Sequence, residues 1–284
     1  MGQVLRLGVD IGGTKIELAV LDAAGPQLRR RFPTPHGGYP PALDTLAKEI
    51  LAMEQEAGAR LQVGVGLPGL VSSEGVVANA YNTPFNGYPL KPDLERRLGR
   101  EVRFANDARC FALSEAVDGA GRGARVVFGA ILGTGVGGGV VVEGRVLTGR
   151  HGIAGEWGHT PLPWMTDEEH PAPLCKCGRP GCLEVFVSGP AKNRDLAVLG
   201  EARAMALYVD RLARAFAMAV NFLDPDVIVV GGGMSKHEEI YTAVPERMRP
   251  WVYHPRPSTP IVRAMHGDAS GVRGAAMLWP EGSA

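Results

Sequence analysis

Near the N-terminus the chain reads Leu7-Gly8-Val9-Asp10-Ile11-Gly12-Gly13-Thr14-Lys15, a strand that runs into a glycine turn. Near mid-chain the apolar run Val126 to Leu132 runs into Gly133-Thr134-Gly135-Val136-Gly137-Gly138-Gly139, followed by a return strand at Val140 to Val142. Glycine turns after strands let backbone N–H groups approach an anion, because no Cβ blocks them and positive φ is free. Two threonine-bearing turns at corresponding places, with a third glycine cluster at Gly231, Gly232 and Gly233, point to a nucleotide. Neither turn matches the phosphate-loop or dinucleotide-turn pattern.

Working outward, the first hairpin is expected as Val4 to Val9 and Lys15 to Leu21. A helix is expected over Ala42 to Glu56, buried strands over Leu61 to Leu67 and Val102 to Ala105, and a helix over Ala108 to Ala116. A long Ala-rich helix, Glu201 to Leu223, stops at Asp224-Pro225 and is followed by a strand at Val227 to Val230. Strands and helices mix throughout, so the class is α/β, with two duplicated lobes facing a shared cleft. The lobes are drawn as residues 1–118 and 119–271, with 272–284 returning to the first; Gly119, Gly121 and Gly123 mark the junction.

Lys plus Arg and Asp plus Glu number 30 each, so the net charge is zero and the broad positive footprint of a nucleic-acid binder is missing. The longest uncharged run, Val126 to Val142, is broken by glycines, which argues against a membrane span. With no basic-then-apolar leader, and Arg6 where a myristoylation pattern needs Ser or Thr, a cytoplasmic protein is expected.

Three of the four cysteines crowd into Cys175, Cys177 and Cys182, with Gly-Arg-Pro-Gly between the last two. In a reducing compartment such a knuckle suits tetrahedral zinc better than a disulfide. The fourth ligand is His159, His170 or Cys110; His159, in a polar knot beside Glu156, is preferred. Asp107, after a strand and before a helix, reads equally as a helix N-cap or as a general base that takes a sugar hydroxyl proton during phosphoryl transfer. Asp10, Gly12, Gly13, Thr14 and Lys15 form one phosphate and magnesium set; Gly133, Thr134, Gly135, Gly137 and Gly138 form another.

With these residues in view, the chain resembles the ROK family of bacterial sugar kinases. The resemblance rests on Leu7 to Lys15, Gly66-Leu67-Pro68-Gly69, Asn106-Asp107, Gly133 to Gly139, Glu156 to His159, Cys175 to Glu184 and Asp224 to Gly233. It implies an actin-like, ribonuclease-H-like fold, ATP and Mg2+ at the glycine turns, and structural Zn2+ on His159, Cys175, Cys177 and Cys182. It further implies Asp107 as catalytic base, and Gly66, Asn79, Asn106, Asp107, Glu156, His159 and Glu184 around the sugar. Ala154 to His159 followed by Pro161 to Met165, and His266 to Ala276, are similar to the fructokinase branch, so the expected reaction is ATP-dependent phosphorylation of fructose by a homodimer, with glucose, mannose or N-acetylglucosamine as alternatives. A sugar-responsive regulator is disfavoured, since a first strand from Val4 leaves no room for a helix-turn-helix. Pro190 to Gly200 is a shorter connection than family members usually carry.

Overall fold

The computed structural model describes residues 5–22 and 25–280, over which the chain divides into two compact units. The first comprises the chain up to Ser114, the stretch Thr148–Ala154 and the C-terminal part from Asp268; the second comprises Glu115–Leu147 and Gly155–Gly267.

The first unit is built on β1 (Arg6–Ile11), β2 (Lys15–Asp22), β3 (Gly25–Pro33), α1 (Tyr39–Ala57), β4 (Gln62–Leu67), the short ribbon β5 (Leu70–Val71) and β6 (Val77–Ala78), α2 (Leu90–Leu98), β7 (Val102–Asn106) and the start of α3 (Asp107–Val117). Its sheet runs β3-β2-β1-β4-β7, with antiparallel pairing across β1 to β3 and parallel pairing from β1 through β4 to β7. The expected strand start at Val4 lies outside the described residues, as do residues 281–284 of the expected returning segment. Helix α1 starts three residues before the expected Ala42, because Pro40 and Pro41 occupy its first turn, where backbone N–H groups have no helical partner anyway. It ends at Gly58 in the left-handed conformation, φ 63°. A C-terminal helix, Ser270–Ala276, packs on β1 and β4. The approach is backbone to backbone: a Cβ on Gly8 would lie 1.9 Å from the Val272 carbonyl oxygen, and one on Gly64 1.8 Å from that of Ala275. Only glycine fits at those two strand positions.

The second unit contains β8 (Val126–Leu132), β9 (Val136–Val142), β10 (Arg145–Val146), α4 (Glu184–Val187), α5 (Gly189–Leu199), α6 (Glu201–Leu223), β11 (Val227–Gly231), α7 (Glu239–Thr242), α8 (Val244–Met248) and β12 (Ile261–Arg263). Its sheet runs β10-β9-β8-β11-β12, again a hairpin extended by two parallel strands. The repeat read from two glycine turns is therefore a repeat of whole sheets. Tyr208, Leu212 and Phe216 of α6 bury against Phe128, Ile228 and Val230, and the Trp157 ring stacks on Phe216 at 5.4 Å between centroids. No described helix is long and apolar enough to cross a membrane.

Candidate functional site

In the first unit the β1–β2 turn is drawn tight: Gly12 N–H donates to the Lys15 carbonyl at 2.9 Å, and the Thr34 hydroxyl donates to the Gly12 carbonyl at 2.7 Å. Thr14 and Lys15 are left exposed at its tip. The amide of Asn82 lies over the turn, its Nδ2 2.6 Å from where a Cβ on Gly13 would stand, so Gly13 yields its space to Asn82. Asp10 sits under the first turn of the C-terminal helix; a Cβ on Gly271 would lie 2.7 Å from its Oδ2. Burial there, then the charges of Asp107 and Glu17, push the Asp10 carboxyl up to about 7, against the pull of Lys15 and Arg31. The register places Asp10 opposite Glu17 on one side and Gly66 on the other.

Asp107 is the first residue of α3, and its Oδ1 accepts from the Ala108 N–H at 2.8 Å. Asn106 is the true cap. Its Oδ1 accepts from Ala108 N–H at 2.9 Å and its Nδ2 donates to the Gly69 carbonyl at 2.9 Å. One amide hydrogen and one lone pair of Asn106 remain for a ligand. Asn79 is exposed, in the left-handed region at φ 61°, and accepts from the Tyr81 hydroxyl at 3.0 Å. Gly66 is buried mid-strand, and a Cβ there would lie 3.0 Å from Cys110 Sγ. Cys110 itself is buried, its thiol pushed well above the ordinary range by burial and then by Asp10 and Asp107. Sequence reading passed over Arg109, which is 3% exposed; its Nε donates to the Ala154 carbonyl at 3.1 Å and its Nη2 to that of Gly152.

In the second unit the turn is shorter than expected. Only Gly133, Thr134 and Gly135 form it, while Gly137 and Gly138, expected to hold nucleotide, belong to β9 and pair with Ile131 and Ala130. The smallness of Gly138 serves packing, since a Cβ there would lie 2.8 Å from Trp157 Cδ1, and Trp157 Nε1 donates to the Gly137 carbonyl at 2.8 Å. The short turn nevertheless meets two other expected groups. Gly189 N–H, opening α5, donates to the Gly133 carbonyl at 2.8 Å, and a Cβ on Gly133 would be 3.9 Å from the Gly233 nitrogen. Gly231 closes β11, and Gly232, at φ 83°, lies against Leu132. The cluster thus forms at the C-terminal ends of the parallel strands β8 and β11, where open α/β sheets bind ligands. Glu184, 9% exposed, reaches the same turn: Oε2 accepts from Val136 N–H at 3.1 Å, and Oε1 lies 3.3 Å from Lys176 Nζ.

Glu156 and His159 lie one turn apart at the 3-10 helix Trp157–His159. The ligand atoms of His159, Cys175, Cys177 and Cys182 all lie within 4.8 Å of one another, with His159 Nδ1 3.6 Å from Cys175 Sγ and the sulfurs of Cys177 and Cys182 3.5 Å apart. Tetrahedral zinc with ordinary bond lengths requires edges of about 3.6 Å for N to S and about 3.8 Å for S to S. The donor set fits the ion, and no cysteine is in a disulfide. His170 and Cys110 are not in the cluster.

Residues 6–282 match the ROK family. The chain belongs to the ROK family. Similar proteins include an N-acetyl-D-glucosamine kinase of Escherichia fergusonii, 41% identical over 303 residues, covering 95% of this chain and 98% of the relative. An N-acetyl-D-glucosamine kinase of Pectobacterium atrosepticum is 40% identical, with 95% and 97% covered. Among solved structures, a ROK hexokinase from Thermus thermophilus superposes with TM-score 0.85 at 33% identity over 97% of each chain. A ROK glucokinase from Streptomyces griseus, solved with glucose and AMPPNP, gives 0.76 at 29% identity, with 96% and 98% covered. The architecture is accordingly the actin-like ATPase fold of the ROK family.

The expected likeness to the fructokinase branch gives way to the N-acetylglucosamine kinases. Several of the residues that suggested fructose hold the scaffold: Pro161 bridges Cys182, Leu162 is buried, Trp164 stacks on Trp251, and a Cβ on Gly274 would lie 1.7 Å from the Cys110 carbonyl oxygen.

Proposed function

We propose that this ROK protein is an ATP-dependent sugar kinase that phosphorylates the primary hydroxyl of N-acetyl-D-glucosamine, a reading supported above all by curated relatives of that name at about 40% identity over nearly the whole chain. Chemically, the carboxylate of Asp107 takes the proton of the sugar 6-hydroxyl as that oxygen bonds to the γ-phosphorus of ATP; the bridging P–O bond breaks and ADP leaves. The first unit offers Asp10, Gly12, Gly13, Thr14 and Lys15 to phosphate. The second offers Gly133 to Gly135, the start of α5, and Gly231 to Gly233. Mg2+, held through Asp10, neutralises phosphate charge when bound; that role accords with a carboxyl that burial and neighbouring acids make unfavourable to ionise alone.

Asn106, Glu156, His159 and Glu184, with Asn79, are assigned to the sugar hydroxyls. Paired donors and acceptors penalise an epimer that leaves one of them unmatched. Zn2+ on His159, Cys175, Cys177 and Cys182 is structural: with Nδ1 facing the cysteines, His159 keeps Nε2 for the sugar.

A coupled assay of ADP release with N-acetylglucosamine, glucose, mannose and fructose tests the substrate. The highest kcat/KM is expected for N-acetylglucosamine. A preference for fructose would overturn the sugar assignment, and no ATP-dependent turnover with any of the four, alongside sugar binding, would favour a regulator.

A further inference from the structure

Helix α6 buries an apolar face except at Arg211 and Arg214, whose guanidinium groups are 6% and 1% exposed by residue. Buried guanidinium is costly unless every donor is met. Here the donors converge on Glu169, 5% exposed, from the 3-10 turn Asp167–Glu169. Glu169 accepts from Arg211 Nε at 2.9 Å, from Arg214 Nη1 and Nη2 at 3.0 and 2.7 Å, and from Thr166 N–H at 2.9 Å. Burial alone would raise its carboxyl, yet these partners hold it down at about 2. Asp195 takes Arg211 Nη1 at 2.5 Å, and Asp210 takes Arg214 Nε at 3.1 Å.

The second N–H of Arg214 Nη1 reaches backbone, shared between the carbonyls of Pro163 at 3.1 Å and Trp164 at 2.9 Å. Trp164 is in the left-handed region, φ 49°, a conformation that costs a bulky residue energy and needs outside support. These residues lie in the segment Thr160–Leu174, which separates His159 from Cys175. The near end of the segment is tied to the knuckle itself, Leu162 N–H to the Gly181 carbonyl at 2.9 Å and Leu183 N–H to the Thr160 carbonyl at 2.8 Å. Its middle is tied to α6 by the buried ions.

We infer that the Glu169–Arg211–Arg214 cluster is the positioning device that folds the segment between His159 and Cys175, so that the four zinc ligands are assembled by the protein rather than gathered by the metal. The inference rests on the zinc reading of the knuckle. None of the three residues is a ligand; they act through Pro163, Trp164 and Thr166.

The test uses the full-length, zinc-loaded protein and follows release of zinc to a chromogenic chelator in fixed excess, well below the unfolding temperature. Arg214→Lys keeps the charge but ends one bond short of the position of Nη1 and loses the bonds that Nε and Nη2 make to Asp210 and Glu169; Glu169→Gln keeps the shape but loses the charge. Both are expected to release zinc roughly tenfold faster or more, as when supporting partners of metal ligands are removed. Ile228→Val, a core change in the same unit, is expected to leave the release rate unchanged, which separates positioning from general destabilisation. If Arg214→Lys does not fold, Asp195→Asn weakens only the outer ion pair and is expected to show a smaller acceleration. Release at the wild-type rate from a folded variant overturns the inference. Absence of zinc from wild-type protein purified with zinc in the medium overturns the zinc reading instead.

Discussion

Replacing Asp10 with Asn should stabilise the ligand-free first unit while removing the carboxylate proposed to hold Mg2+. The Asp10 carboxyl is raised from 3.8 to about 7, by burial beneath the C-terminal helix and then by Asp107 and Glu17. An acid raised in the folded state contributes nothing unfavourable below its unfolded value, because both states are then protonated. Between the two values only the unfolded chain ionises, so stability falls as pH rises, and above about 7 the loss is complete. At about 1.4 kcal/mol per pH unit, the full interval sets a ceiling of about 4 kcal/mol. Asn mimics the protonated acid, so its advantage over wild type should be about 2 kcal/mol at about pH 5 and approach about 4 kcal/mol at about pH 8. Amide hydrogen exchange of peptides covering β1 and β2, without nucleotide or magnesium, reads this local stability. Protection should be greater in Asp10→Asn at both pH values, with the larger gain at the higher. An equal gain at both, or a loss at the higher pH, would refute the reasoning.

Gly138→Ala places a methyl group 2.8 Å from Trp157 Cδ1 and 3.0 Å from the Gly155 carbonyl oxygen, so urea denaturation should show a loss of about 1 to 3 kcal/mol, in keeping with overpacking. Arg109→Gln withdraws the guanidinium from the carbonyls of Gly152 and Ala154, and limited trypsin digestion should cut faster after the exposed Arg150 in the segment they hold. Cys177→Ser leaves three ligands of four, and elemental analysis should find zinc content well below that of wild type.

What was legible beforehand was chemistry confined to a few neighbouring residues. Two glycine turns disclosed duplicated sheets because each turn closes a hairpin on which parallel strands are added, and the cysteine spacing disclosed the knuckle. Glycine, however, has two uses that read alike in sequence. Gly133 and Gly135 make a turn, whereas Gly137 and Gly138 sit in a strand, where Gly138 leaves room for Trp157. Asn106 and Asp107 were legible as a pair, but the division of labour, Asn106 capping the start of the helix and Asp107 standing as its first residue, needed the hydrogen bonds. The Glu169 cluster was missed because its partners lie more than forty residues apart in sequence. The available signal was two arginines three residues apart on the inward face of an otherwise apolar helix. The likeness to fructokinases gave way to N-acetylglucosamine kinases, and several residues that suggested it, Leu162, Trp164 and Gly274 among them, shape the scaffold.

The central claim, that Asp107 serves as the base of a sugar kinase, is tested most directly by ADP formation from ATP with N-acetylglucosamine, comparing wild type with Asp107→Asn. Asn keeps the Oδ1 that accepts the Ala108 N–H but cannot take a proton at neutral pH. The account predicts that kcat falls by at least about 100-fold while sugar affinity by calorimetry stays within a few-fold of wild type. A variant that turns over at close to the wild-type rate would contradict it.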